Sequence, residues 1–220
     1  DAERMRATIE RTLDALGRVG APATWVLENH DVTRLPTRYG GGELGLRRAR
    51  AAALLLFGLP GTSFTYEGQE LGLDEVELPG EARQDPIFFR TKGRRVGRDG
   101  CRVPIPWTAA PPAYGFTDGE PWLPMPRDWA ARSVEAQRGD PGSMLELYRS
   151  ALRLRPRGEE LAWRESPAGT LSFERGGLVV AVNFDADELA LPAGEPVLVS
   201  EPGITTTLPA ATAAWIRRRT

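Results

Sequence analysis

Residues 28–34 read ENHDVTR and hold the single histidine of the 220-residue chain. His30 lies between Asn29 and Asp31, and Arg34 follows three positions after Asp31. One short segment thus offers a carboxylate, an imidazole and a guanidinium. A carboxylate there can stabilise positive charge or grip hydroxyls. An imidazole can donate to a hydroxyl, and a guanidinium can order a carboxylate or a sugar oxygen. The alternative is a turn, because Asn and Asp after a strand often do no more than satisfy backbone groups. One histidine without a cysteine partner is a poor ligand set, so no metal is expected. A Ser-His-Asp triad usually separates its His and Asp in sequence. No phosphate-cradling G-x-x-x-x-G-K occurs, and no cofactor is expected.

The elements that must position this cluster follow from hydrophobic period. Residues 2–17, AERMRATIERTLDALG, place Met5, Ile9, Leu13 and Leu16 at spacings of three and four, which predicts an amphipathic helix stopping at Gly17. ATWVL, residues 23–27, reads as a short buried strand running into the polar cluster. The Ala- and Leu-rich run 43–57 predicts a second helix, ended by Gly58 and Pro60. TSFTY, residues 62–66, is a second strand, and it too ends in polar residues, EGQE. Helix, strand, helix, strand argues for a parallel sheet with helical crossovers. In such folds ligands gather at the C-terminal ends of strands.

From about 71 to 142 no long periodic segment appears, yet the stretch carries Phe88, Phe89, Trp107, Tyr114, Phe116, Trp122 and Trp129. Disordered linkers are poor in aromatics, so an ordered but irregular excursion is expected. Helix resumes at SMLELYRSALRLRP, with Ser143 as N-cap and Glu146 as its capping-box partner. Beyond Pro156, the runs LAWRE, TLSFER, LVVAVNF, ELALP, PVLVS and AAWIRR are short strands split by Gly, Pro, Asn or Asp, an antiparallel β module.

Composition excludes several classes. The net charge is −2, so no basic excess recruits nucleic acid. No apolar run reaches the ~18 residues of a membrane span, and no signal segment opens the chain. The one cysteine, Cys101, cannot form an internal disulfide, which points to a reducing compartment and a cytoplasmic protein. The chain opens without Met, already inside a helical pattern, as an excised piece would.

Several motifs, in order, resemble one family. NHDVTR resembles the N-H-D-x-x-R segment of the α-amylase family of glycoside hydrolases, in its α-glucosidase branch. GTSFTYEGQELG is similar to that family's G-x-P-x-x-Y-x-G-x-E-x-G, and GRDGCRVPIPW to the R-D-x-x-R-x-P-x-x-W of oligo-1,6-glucosidases, α-glucosidases and trehalose synthases. GFTDGEPWLP and GDPGSMLELYRSALRLR follow at similar spacing, so the likeness covers nearly the whole chain. It departs at Ser63, where Pro is frequent; at Glu67 and Gln69, where Gln and Glu are common; and at Glu28, where a small or amide residue is usual. A glutamate on a barrel strand must find a partner or water.

The resemblance implies an α/β fold: the C-terminal portion of a (β/α)8 TIM barrel followed by an all-β C-terminal sandwich domain. Residues 1–157 would run from helix six to helix eight of the barrel, with the long loop at about 71–142, and 158–220 would form the sandwich. By the same resemblance, Asp31 is the transition-state-stabilising carboxylate, His30 donates to the reacting sugar ring, and Arg34 helps close the pocket at the non-reducing end. The expected substrate is an α-gluco-oligosaccharide, and the expected partner is the N-terminal half of the barrel. The nucleophile and the acid/base would lie upstream of residue 1, leaving the 220-residue chain inactive alone. Glu70, Arg102 and Trp107 are expected to be structural, Trp122 to be buried, and Cys101 to be a buried or bystander thiol. A transglycosylase or isomerase of the same family, and a non-catalytic binding relative, are the alternatives.

Overall fold

The computed structural model describes residues 1–185 and 187–218; Ala186, Arg219 and Thr220 of the expected β domain lie outside them. In chain order the elements are α1 (Ala2–Gly17), β1 (Thr24–Val26), α2 (Leu35–Arg38), α3 (Gly42–Gly58), β2 (Thr62–Phe64), α4 (Pro86–Arg90), α5 (Val134–Gln137) and α6 (Met144–Leu154). Seven strands follow: β3 (Ala162–Trp163), β4 (Thr170–Arg175), β5 (Leu178–Asn183), β6 (Leu189–Ala190), β7 (Glu195–Val199), β8 (Thr207–Leu208) and β9 (Thr212–Arg217). The chain divides into two compact units, Asp1–Leu27 with Arg47–Phe64 and Leu147–Thr220, and Glu28–Leu46 with Thr65–Glu146.

In the first unit α1 buries the expected stripe, with Ile9 buried and Met5, Leu13 and Leu16 half-buried. The Asp1 carboxylate caps it by accepting from the Arg4 amide at 2.8 Å. Strands β1 and β2 pair in parallel, Trp25 opposite Ser63 and Val26 opposite Phe64. They are shorter than expected, and not buried on both faces: Val26 and Phe64 are 49% and 57% exposed. Among the described residues only the Trp25 face is covered, and the indole Nε1 donates to the Pro60 carbonyl at 2.6 Å.

The antiparallel module of this unit is a five-stranded sheet, β3-β4-β5-β9-β7, with a two-stranded β6–β8 piece. All six expected strands are present. The sequence reading did not include β8, Thr207–Leu208. Gly176 and Gly177, both at positive φ, make the two-residue turn joining β4 to β5. One face of the sheet packs Val179, Ala181, Ala214 and Ile216 against Leu189, Leu191, Ile204 and Leu208. The other face meets α3. Trp215 is fully buried and its indole donates to the Leu54 carbonyl at 3.0 Å. Gly58 has no side chain because a Cβ there would sit 2.9 Å from Val180. This contact explains why compactness does not divide at 157/158: the strand–helix segments and the β module share one core.

The second unit holds the irregular excursion, and its order comes from burial rather than period. Leu71, Leu73, Leu78, Val103, Ile105, Leu123 and Trp129 form one apolar cluster. Side chains replace ladder bonds in satisfying the backbone: Gln137 Nε2 donates to the Leu71 and Arg132 carbonyls, and Arg132 Nη1 to Gly72. Trp122 is not buried as expected but 52% exposed; Trp129 fills the core instead. Ser143 caps α6, accepting from the Glu146 amide at 3.2 Å. The reciprocal half of the expected box is made differently: Ser143 N donates to the Asp140 carbonyl, and Glu146 accepts from the Gly139 amide.

Candidate active site

The polar cluster lies wholly in the second unit. Asn29 Oδ1 accepts the Asp31 amide at 2.8 Å, so the segment does turn locally. The turn also does more. Asp31 Oδ1 accepts from Arg98 Nη1 at 2.9 Å and from Arg102 Nη2 at 3.0 Å, with His30 Nε2 at 3.6 Å. Arg102 Nε also donates to the His30 carbonyl at 2.8 Å. Three basic groups therefore converge on one oxygen, while the carboxylate side chain stays 51% exposed. The hydrogen bond from Arg98 is the largest influence holding the Asp31 pKa below its ordinary value, with His30 and Arg102 adding to it. Asp31 is thus an ionised, half-exposed carboxylate with its second oxygen available. The His30 side chain is 65% exposed beside it.

The structure places Arg34 inside the protein: its side chain is fully buried. The guanidinium donates to Glu28 Oε1 at 3.1 Å and to the Glu67 carbonyl at 2.9 Å, and lies 5.2 Å from the centre of the Tyr66 ring. Glu28 Oε2 accepts the Leu35 amide and Glu75 Oε2 the Arg34 amide, both at 2.9 Å. Glu28 and Arg34 therefore clasp the base of the loop that carries Asp31. The departure at Glu28 has found its partner inside the protein. No sequence signal separates an arginine that reaches out from one that points in, since both follow a strand at the same spacing.

Burial moves the titration of the surrounding acids upward. Desolvation raises the pKa values of Glu28, Glu70 and Glu75, outweighing the arginine and the backbone donors that lower them. Glu70 takes backbone donors at Gly68 and its own amide, as expected of a structural residue, yet its Oε2 is buried with no partner among the described residues. A raised carboxylate pKa costs stability once pH exceeds the unfolded value of about 4.5, and the cost persists above the folded pKa. Glu70→Gln is therefore expected to be better tolerated at pH 7 than at pH 4, a difference readable from urea unfolding at the two pH values. Equal effects at both would show that Glu70 titrates normally. Cys101 is buried and its thiol is pushed up to about 11, chiefly by desolvation, so it is no nucleophile. Among the described residues no group of three or more His, Cys, Asp or Glu is arranged to hold a metal ion.

Residues 1–163 match the alpha amylase catalytic domain family. The chain belongs to the α-amylase family. A probable alpha-glucosidase of Rhizobium meliloti (strain 1021) is 40% identical over 141 residues, 64% of this chain and 25% of the relative. Probable oligo-1,6-glucosidase 3 of Bacillus subtilis (strain 168) is 31% identical over 160 residues, 64% and 28%. The crystal structure of the alpha-glucosyl transfer enzyme XgtA superposes with a TM-score of 0.78 at 37% identity, covering 99% of this chain and 44% of that one. The chain spans about a quarter of the length of these curated relatives. Within this α-amylase family member, the GRDGCR segment proves more than a loop pin. It supplies both arginines on Asp31, Arg98 and Arg102, the two arginines of its R-D-x-x-R motif.

Proposed function

We propose that this α-amylase family member takes part in retaining hydrolysis of terminal α-linked glucose from short oligosaccharides, with Asp31 binding hydroxyls of the reacting ring. One observation carries the reading: a carboxylate whose Oδ1 is saturated by two guanidinium groups while the side chain remains half exposed. Such a group stays ionised and keeps an oxygen for a ligand. Hydrogen bonds and charge near the reacting carbon that strengthen as the ring becomes oxocarbenium-like lower the barrier directly. His30, exposed beside it, donates to the same ring. Arg34 acts from within, holding the loop.

The same environment says what Asp31 does not do. With its pKa lowered it holds no proton to give to a leaving group, so it is not the general acid. Retaining chemistry needs a nucleophile and an acid/base besides it. In this reading both come from the part of a (β/α)8 barrel outside residues 1–220, which would also cover the open face of β1 and β2. The 158–220 segment is the accompanying β-sandwich domain, and the single cysteine supports a cytoplasmic setting.

The purified 220-residue chain is then expected to release no p-nitrophenol from an α-glucoside above buffer, and a chain carrying the whole barrel to do so. Turnover by the 220 residues that disappears on Asp31→Asn would overturn this division of labour. Glucosyl transfer is the second reading, favoured by the 37% identity to the alpha-glucosyl transfer enzyme XgtA. Product analysis with and without an added acceptor alcohol separates the two.

A further inference from the structure

The Asp31 carboxylate is held by an arginine that is itself half exposed, and long arginine side chains at a surface are not held in one pose without a cause. The cause lies in residues 83–99. Asp85 is 3% exposed, and its Oδ2 accepts both the Arg98 main-chain amide at 3.0 Å and Arg98 Nε at 2.7 Å. Its Oδ1 caps α4 through the Ile87 amide at 3.0 Å. Asp85 is in turn fixed from behind: Asp99, 1% exposed, accepts the Gln84 and Asp85 amides on Oδ2, each at 2.9 Å. Arg83 Nη1 closes the same loop on the Val96 carbonyl at 2.7 Å. Gly97, at φ +81°, lets the chain pass where a Cβ would lie 2.7 Å from that of Asp85. One edge of the Arg98 guanidinium is thereby spent on Asp85, and its Nη1 is left facing Asp31.

We propose that Asp85 is a positioning residue for Asp31: it anchors Arg98 so that the guanidinium holds Asp31 Oδ1 and leaves the other carboxylate oxygen for the sugar. The last clause rests on the function proposed above; the anchoring does not. A purely structural role for Asp85 would be its cap on α4. Asparagine caps a helix about as well as aspartate, so Asp85→Asn preserves that role while removing the charge that holds Arg98.

Two readouts test the proposal. In the 220-residue chain, the titration midpoint of the Asp31 carboxyl carbon, followed by NMR, should rise in Asp85→Asn and in Arg98→Met. It should take an intermediate value in Arg98→Lys, because a single ammonium cannot grip both carboxylates as a planar fork does. In a chain carrying the whole barrel, Asp85→Asn should lower kcat roughly ten- to a hundred-fold, the range expected when a catalytic group is misplaced by about 1 Å, and leave KM within about three-fold. A folded Asp85→Asn protein with both the Asp31 midpoint and kcat unchanged would overturn the proposal. A shifted midpoint with unchanged kcat would uphold the anchoring and overturn the sugar-binding role of Asp31. If Asp85→Asn does not fold, Arg98→Met decides, since that side chain is 44% exposed and its loss opens no core.

Discussion

Replacing Asp31 by asparagine in a chain that carries the whole barrel is expected to lower kcat by about 10²–10⁴ with little change in KM. The amide keeps the shape and a ground-state hydrogen bond to a sugar hydroxyl. It loses the charge, which matters most when the ring carries positive character, so the loss falls on the transition state rather than on binding. The asparagine also leaves Arg98 and Arg102 without the carboxylate on which they converge. Steady-state kinetics on maltose and isomaltose checks this. Near-normal kcat on both would reduce ENHDVTR to the turn that Asn29 already makes.

The second large effect is on folding. Arg34→Met removes the cation from a fully buried pair and leaves the Glu28 carboxylate with the Leu35 amide alone among the donors described above. Breaking a buried ion pair from one side costs about 3–5 kcal/mol, because the remaining charge is desolvated without compensation. The cost should be largest at neutral pH. The Glu28 pKa is already raised by burial, and loss of the arginine that lowers it raises it further. As pH falls through that pKa the carboxyl takes up a proton and part of the loss disappears. Combining Arg34→Met with Glu28→Leu should recover much of the loss at pH 7, since a matched apolar pair carries no desolvation penalty. Urea unfolding of the four proteins of this cycle measures the coupling. A double variant as unstable as the sum of the singles would mean that the pair contributes no more than packing.

The two substitutions also separate the roles that the sequence had grouped. Asp31 and Arg34 sit three residues apart and both belong to the N-H-D-x-x-R motif, yet one side chain is half exposed and the other fully buried. Asp31→Asn should therefore spare stability and damage the rate. Arg34→Met should damage stability first, and its kinetic effect, where the protein folds, should come through the loop that carries Asp31 rather than through a lost contact to the sugar.

What the sequence determined by itself is what local period and motif can encode. The stripe of Met5, Ile9, Leu13 and Leu16 specified α1; the Ala/Leu run, α3; and the short apolar runs split by Gly, Pro, Asn or Asp after Pro156, the antiparallel strands. Each depends on residues a few positions apart, whose geometry is set by the backbone repeat. The ordered motifs specified the family. Tertiary structure alone decided which charges meet. Asp31 is paired by Arg98 and Arg102, 67 and 71 residues away, and Trp122 faces solvent while Trp129 is buried. Those partners stand in an excursion with no period, where position is set by one apolar cluster and by side chains bonding to backbone. An arginine has the same formal charge whether it is buried on a glutamate or exposed on an aspartate. Only the fold decides which of these charges loses its water, removing it from Arg34 and leaving it at Asp31.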